Sequence, residues 1–453
     1  MKKIIIALSL VLTFFSCQES FLDIPPATGL TNDKLVDLSA MRGLINGAYS
    51  LTRGGQGVPY CGESSLYATA MVRDVVVRNN TNFPQFFDHL VANDLGMFVR
   101  AYRILNGLNT IAEKDLSVME GTDAQRQAVL GDMHFLRALI YFDLNNYFEL
   151  PSTGYSVPLL LKPLGVDEKV SCSKIVDVRD AIEKDIEQAR LNFKNNVSGV
   201  SNYQAATALA ARIYFFHRKY DKAYAMADEV IKTGNFILEA DVMKPFTPPG
   251  SSRENIFSFK FNAGDNANPR PTSNLRNAYQ PNEATGSLSL NPDGVLSKLM
   301  KADPKDARWG FYTEKPGITY INGKYSSDQM DMIYIRLAEM YLTRAESNIM
   351  NNNTVGQQDV DDINKLRSRA NPATVLTFIP VKNAALDTLY NDRTKELAIE
   401  LGDHYLNTRR LQKGIVKTAK EGGGIKPYSQ YADLLAFPFP LNEINIHKLT
   451  RKP

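Results

Sequence analysis

The sequence predicts an all-α protein in which helical pairs form a scaffold and one long irregular region carries a few short strands. Three observations predict it. Apolar residues recur at three- and four-residue spacing through most of residues 35–233 and again over 333–413. One segment reads as a helix–turn–helix with small residues where its two helices cross. Between these stretches, residues 241–332 are dense in proline, glycine, asparagine and serine, and the helical spacing fades.

The chain opens on Met1-Lys2-Lys3, an apolar run from Ile4 to Phe15, then Ser16-Cys17. Two lysines followed by a run shorter than the ~20 residues a span needs describe a cleaved export signal. The small Ser16 before Cys17 is what a lipoprotein signal peptidase requires, with the cysteine sulfur acylated as the new N-terminus. The alternative is an ordinary secretory signal with an incidental cysteine. The expected division is therefore a signal over 1–16, an N-terminal helical region over 17–240 and a C-terminal region over 241–453. The +3 formal charge falls to near +1 once Lys2 and Lys3 are removed, and no basic block stands out. Nucleic acid and anionic lipid headgroups thus have no electrostatic footprint here. Attachment to a bilayer would come from acyl chains on Cys17. Of the three cysteines, Cys61 and Cys172 either pair or remain partly buried thiols.

After a tether broken by Pro25-Pro26 and Gly29, Asp33 is a candidate cap for a helix from Leu35 to Tyr49. Helices follow over 97–111 and 123–148, where Val129, Met133, Leu136, Ile140, Leu144 and Phe148 line one face and Pro151 stops the run. Another begins at Ser173 or Asp177 and reaches Phe193. Segment 203–233 is the helix–turn–helix, and Tyr214, Tyr220, Ala223 and Ala227 fall at the spacing of a tetratricopeptide repeat. Weaker partners at 97–148 and 333–370 suggest three or four divergent repeats. Within the irregular region, 255–261 and 317–320 are expected strands. Helices return at 333–350, 357–369 and 383–413, before Gly422-Gly423-Gly424 and a proline-broken tail.

Tyr334-Ile335-Arg336-Leu337-Ala338-Glu339 through Ala345-Glu346, followed by Ile363-Asn364-Lys365-Leu366-Arg367-Ser368-Arg369-Ala370, resembles the signature helix, and the helix after it, of the SusD/RagB family of outer-membrane nutrient-binding lipoproteins. Asp392-Arg393-Thr394-Lys395-Glu396-Leu397-Ala398, with Glu400 and Arg409-Arg410, resembles a third motif, and Phe437-Pro438-Phe439-Pro440 with Glu443-Ile444 the closing one. Upstream, Phe135-Leu136-Arg137-Ala138, Val157-Pro158-Leu159 and the opening Cys17 with Phe21-Leu22-Asp23 are similar in the same order. The chain is shorter than many members and ends Leu449-Thr450-Arg451-Lys452-Pro453, unlike their usual terminus. The resemblance implies a surface-exposed lipoprotein capping a SusC-like, TonB-dependent outer-membrane transporter. Such proteins capture oligosaccharides, or in some relatives peptides, without covalent chemistry. A periplasmic tetratricopeptide scaffold for protein partners is the remaining alternative.

No cofactor or metal is expected, and no enzyme. The five histidines are scattered, and the chain lacks His-Glu-x-x-His, Cys-x-x-Cys, a Gly-x-Ser-x-Gly elbow and a phosphate loop. Glu339 and Glu346 share one helix face, and Glu396 and Glu400 another, but Glu400 and His404 miss the spacing of a dimetal bundle. These acids are expected to pair with Arg336, Arg344, Arg393 and Arg409. Sugars present apolar C–H faces to aromatic rings and hydroxyls to polar side chains, so aromatics in irregular stretches are the candidate ligand groups. They are Trp309, Tyr312 and Tyr320, with Arg270 and Asn274 as polar companions, although Trp309 could equally pack in the core. A second candidate cluster holds Tyr60, Tyr67, Phe83, Phe86 and Phe87 with Arg73, Asp74, Asn79 and Asn80.

Overall fold

The computed structural model describes residues 36–52, 60–78, 95–165, 168–195, 199–248, 251–260, 273–281, 288–327, 330–418 and 421–450. The signal, Cys17 and Asp33 lie outside them. The first helix, α1 (Leu38–Thr52), starts three residues later than expected, because Asp37 supplies the cap by accepting from the Ala40 N–H at 2.7 Å. Then come α2 (Tyr60–Met71), the short strand β1 (Val75–Val77), α3 (Gly96–Ala112) and α4 (Asp123–Phe148). A capping box starts α4: Thr122 Oγ1 accepts from Gln125 N at 3.2 Å, while Gln125 Oε1 accepts from Thr122 N at 2.8 Å. Nearly every residue of α4 from Ala128 onward is buried, so this helix runs through the middle of the protein.

Next follow α5 (Ile175–Phe193), α6 (Tyr203–Phe216) and α7 (Tyr220–Lys232). The all-buried face of α6 is rich in alanine, which lets α7 approach closely. In the irregular region lie β2 (Asn255–Phe259), α8 (Ser273–Tyr279), β3 (Leu288–Leu290), α9 (Val295–Ala302), β4 (Thr313–Lys315), β5 (Ile318–Tyr320) and β6 (Met332–Arg336). The chain then returns to helix in α10 (Leu337–Asn352), α11 (Gln357–Ala370), α12 (Lys382–Glu396) and α13 (Asp403–Leu411). A β7 (Ile415–Val416)–β8 (Ile425–Lys426) hairpin and α14 (Leu441–His447) complete the described chain. Helix α4 packs on α5, α7 on α6 and α10, and α10 on α11. Among the described residues the strands pair in antiparallel twos, β1–β3, β2–β6, β4–β5 and β7–β8. The fold is thus mostly helical with scattered short strands.

Two expectations are corrected. Residues 333–336, read as the start of a helix, form β6, whose partner β2 lies far away in sequence. The helix expected over 383–413 is two helices, with a break at 397–402 where Ile399, Leu401 and Gly402 take left-handed backbone angles. The expected strands at 255–261 and 317–320 are present as β2 and β5, and Gly317 at φ 75° turns β4 into β5. One large core cluster draws on both halves of the chain, from Leu38 to Leu449. Cys172 is a buried thiol, while the Cys61 side chain lies outside the described part. Among the described residues no helix is long and apolar enough to cross a membrane.

Candidate functional site

The turn around Trp309 is built by its own aspartates. Asp303 O accepts from Asp306 N at 3.1 Å, and Asp306 Oδ1 from Arg308 N at 3.0 Å, which winds Ala307–Phe311 into a 3-10 turn. The buried Arg308 guanidinium grips Asp306 (2.8 and 2.7 Å) and reaches Glu396 of α12 at 3.1 Å, riveting the turn to the helical framework. Tight winding then sends neighbouring side chains opposite ways. Phe311 enters the core edge-on to Phe246, with ring centroids 5.3 Å apart. Trp309 stays half-buried and sets its ring edge-to-face on Tyr312 at 5.3 Å. Its indole N–H donates to Asp303 O at 3.1 Å, which fixes the ring plane before any ligand arrives.

These two rings, with Lys301, Pro304 and Glu314, line an open hollow of about 520 Å³, within the range of small-molecule sites. Lys301 and Glu314 are exposed. Burial pushes the Tyr312 hydroxyl above its ordinary range, so it remains a neutral donor. The hollow offers an aromatic corner flanked by one cation and one carboxylate. Sequence reasoning found the rings but missed Lys301 and Glu314. The only signal for them was Lys301 closing α9 and Glu314 lying two residues beyond Tyr312 on β4.

Four other candidate residues are corrected from ligand face to framework, because the fold buries and engages them. Tyr320 is fully buried, with its hydroxyl taking a hydrogen bond from Arg78. Tyr67 is buried, donates to Glu63 at 3.2 Å and packs edge-on against Phe437. Arg73 is 1% exposed and pairs with Glu421 at 2.8 Å. Asp74 binds His404 Nδ1 at 2.7 Å, and Tyr390 meets the other ring nitrogen at 2.8 Å. Burial disfavours the His404 imidazolium, but Asp74 and Tyr390 outweigh it and raise its pKa to about 10. The trio ties the α2–β1 corner to α12 and α13. Arg270, Asn79, Asn80, Phe83, Phe86 and Phe87 lie outside the described residues. Asn274 falls on α8 and Tyr60 on α2, with side chains outside the described part.

The paired acids are all in buried ion pairs. Glu396 meets Arg336 (2.7 Å), Arg369 (2.5 Å) and Arg308 (3.1 Å), and Glu400 meets Arg336 (2.8 Å) and Lys324 (2.6 Å). Glu339 bonds Arg212 at 2.5 Å and Arg393 at 3.4 Å, and Glu346 bonds Arg410 at 2.6 Å. Burial raises the Glu396 carboxyl, yet its three arginines together hold it well below the ordinary range. Of the expected partners, Arg336 and Arg393 serve these acids. Arg344 instead pairs with Asp362 and Asp228, and Arg409 donates to the Glu149 carbonyl at 2.8 Å. Among the described residues no group of three or more His, Cys, Asp or Glu is placed to hold a metal ion.

Two family models match the chain. One, described as the SusD family, matches residues 250–436, and the other, described as starch-binding associating with outer membrane, matches residues 21–215. No curated protein matches the sequence. Among solved structures, a SusD superfamily protein from Bacteroides thetaiotaomicron superposes with a TM-score of 0.80 at 20% identity, covering 92% of this chain and 100% of that one. A SusD superfamily protein from Bacteroides fragilis gives 0.75 at 19%, covering 91% and 98%. A protein from Bacteroides vulgatus, described as a SusD-like carbohydrate binding protein, gives 0.76 at 17%, covering 92% and 98%. At such identities these likenesses speak for the fold alone. The two models, which between them take in most of the chain, place this protein in the SusD/RagB family of SusD-like proteins.

Proposed function

We propose that this protein is a cell-surface lipoprotein, acylated at Cys17, that binds oligosaccharides and passes them to a SusC-like TonB-dependent transporter of the outer membrane. The observation that carries the ligand reading is the hollow at Trp309 and Tyr312, where a fixed aromatic corner stands beside Lys301 and Glu314. An apolar sugar face stacks on the indole, and ring hydroxyls bond to Tyr312, Lys301 and Glu314. Family membership supports the carbohydrate reading, as does the description of the Bacteroides vulgatus relative as a carbohydrate binding protein. Arg270 and Asn274 remain proposed companions of the site. The helix pairs around α6 and α7 are read as a tetratricopeptide-like scaffold that holds the hollow rigid. Binding is the whole chemistry in this reading: the helical acid pairs, with Glu339 and Glu396 among them, are held in buried ion pairs.

The test titrates oligosaccharides of defined linkage into the wild type and Trp309→Ala while following thermal unfolding of both. Lost stacking and lost ring burial, about 0.5–1.5 and 1.5–3 kcal/mol, should weaken binding tenfold or more. A half-buried ring should cost less stability than the ~3–5 kcal/mol of a core aromatic. Unchanged affinity in the folded variant would retire the hollow. Uptake of short peptides in place of every sugar would instead favour a peptide-binding member of the family.

A further inference from the structure

A second recess, built from none of the elements around Trp309, lies along β2. Its volume is about 340 Å³, and six consecutive residues, Asn255 to Lys260, form one wall. A strand face presents alternate side chains, whereas a strand edge presents every residue in turn, so this wall is the edge of β2. The opposite edge pairs with β6. Among the described residues, the main chain of Ile256 to Lys260 bonds to no other backbone beyond that pairing. Alternate residues of a strand turn their N–H and C=O groups to opposite edges, so the edge facing the recess carries the unpaired groups of every other residue along about 17 Å of strand at ~3.3 Å per residue, in a pairing whose register shifts on either side of Phe257.

Ser258 supplies an independent sign. It is 6% exposed, lines the recess, and its Oγ has no hydrogen-bond partner. A buried hydroxyl left unpaired is costly, and folding tolerates one more readily where a ligand completes it. Across the recess stand the exposed Asn46, Val200 and Asn202. The single charged group in the lining is Lys260, whose side chain is 71% exposed and whose ammonium bonds Asp331 at 2.9 Å, leaving two further N–H donors.

We propose that the free edge of β2 is a strand-addition site for an extended polypeptide segment with an acidic residue at the Lys260 end. A peptide backbone alternates donors and acceptors at the repeat of the edge, which sugar hydroxyls do not, and main-chain bonds would supply the affinity. An added strand would also bring a carbonyl or amide to Ser258 Oγ. The proposal does not depend on the saccharide hollow.

The probe is the acetylated hexapeptide Thr-Val-Thr-Val-Thr-Asp, read by amide hydrogen exchange on the mature chain. Saturating peptide should slow exchange at the groove-facing amides between Ile256 and Lys260 by about tenfold or more, as for amides entering a ladder. Val200→Trp fills the recess from an exposed position and should abolish that protection with helicity unchanged. A peptide N-methylated on the amides of one edge should also fail to protect. Trp309→Ala should bind the hexapeptide as wild type does, which separates this site from the saccharide reading. No protection by the hexapeptide, protection that survives Val200→Trp or N-methylation, or protection by oligosaccharides at these amides would each overturn it.

Discussion

Asp143 sits on α4 with 7% of its surface exposed, and its carboxyl accepts a hydrogen bond from the Tyr334 hydroxyl at 2.8 Å. Burial drives its pKa up to about 7, although Tyr334 and the nearby Arg212 oppose the shift. An acid whose folded pKa exceeds its unfolded value takes up a proton on folding. Its contribution to stability is present below the unfolded pKa and is lost as pH rises toward 7. Asp143→Asn removes the charge and keeps an oxygen for Tyr334. Its stability relative to wild type should therefore rise between pH 4 and pH 8, by on the order of 3 kcal/mol. Urea unfolding at several pH values checks this, and a pH-independent difference would contradict it. Glu396 behaves in the opposite sense. Its depressed carboxyl stabilises the fold at neutral pH, and that support is lost as acid protonates it. Asp143 could be named from sequence only as one polar residue in an apolar helix. Its chemistry comes from Tyr334, nearly two hundred residues away.

At the scale of elements, the break between α12 and α13 decides much of the interior. A helix that stops leaves carbonyls without partners, and here buried donors take them. Lys324 Nζ donates to Glu396 O at 2.8 Å, Arg336 Nη2 to the same oxygen at 2.7 Å, Ser65 to Ile399 O at 2.7 Å and Tyr147 to Leu401 O at 2.8 Å. Gly402 makes the turn possible: its φ is 67°, and a Cβ there would stand 2.7 Å from Ala68 Cβ. Gly402→Ala should cost about 1–3 kcal/mol, measured by chemical denaturation. Ligand affinity of the folded fraction should be unchanged, because the Trp309 turn is held through Glu396 upstream of the break. Helix α4 was legible nearly residue for residue, since its apolar spacing and the Pro151 stop are local. The break was not, because residues 397–401 have good helix formers whose preference is overridden by partners on α2, α4 and the 323–336 segment. β6 was misread for the same reason, its strand state depending on β2.

Across the whole molecule, the ionic web around Arg336 joins β6 and α12 to the segment before β2, and the web around Arg393 joins α12, α13, α10 and α6. Removing one partner from such a web strands a buried charge, so the body should unfold as a unit and bind its ligand as a rigid block. Attachment to the bilayer should then rest on Cys17 alone. Cys17→Ala, expressed in a strain lacking the partner transporter, should move the protein from the membrane fraction to the soluble one. Undiminished membrane retention would count against acylation.

The chain's order of local signals settled several matters before any contact was known. Among them are the long helices, the loop-rich interval, the family likeness and the run of aromatics from Trp309 to Tyr312, each encoded within a few neighbouring residues. Which aromatics meet solvent was decided only by tertiary packing. Trp309 and Tyr320 are both rings in irregular stretches. One lines an open hollow, and the other is fully buried beneath Arg78. Arg73 and Asp74 likewise read as ligand groups until distant Glu421 and His404 are brought against them. Burial and ion pairing depend on residues hundreds of positions apart, and no local pattern carries that information.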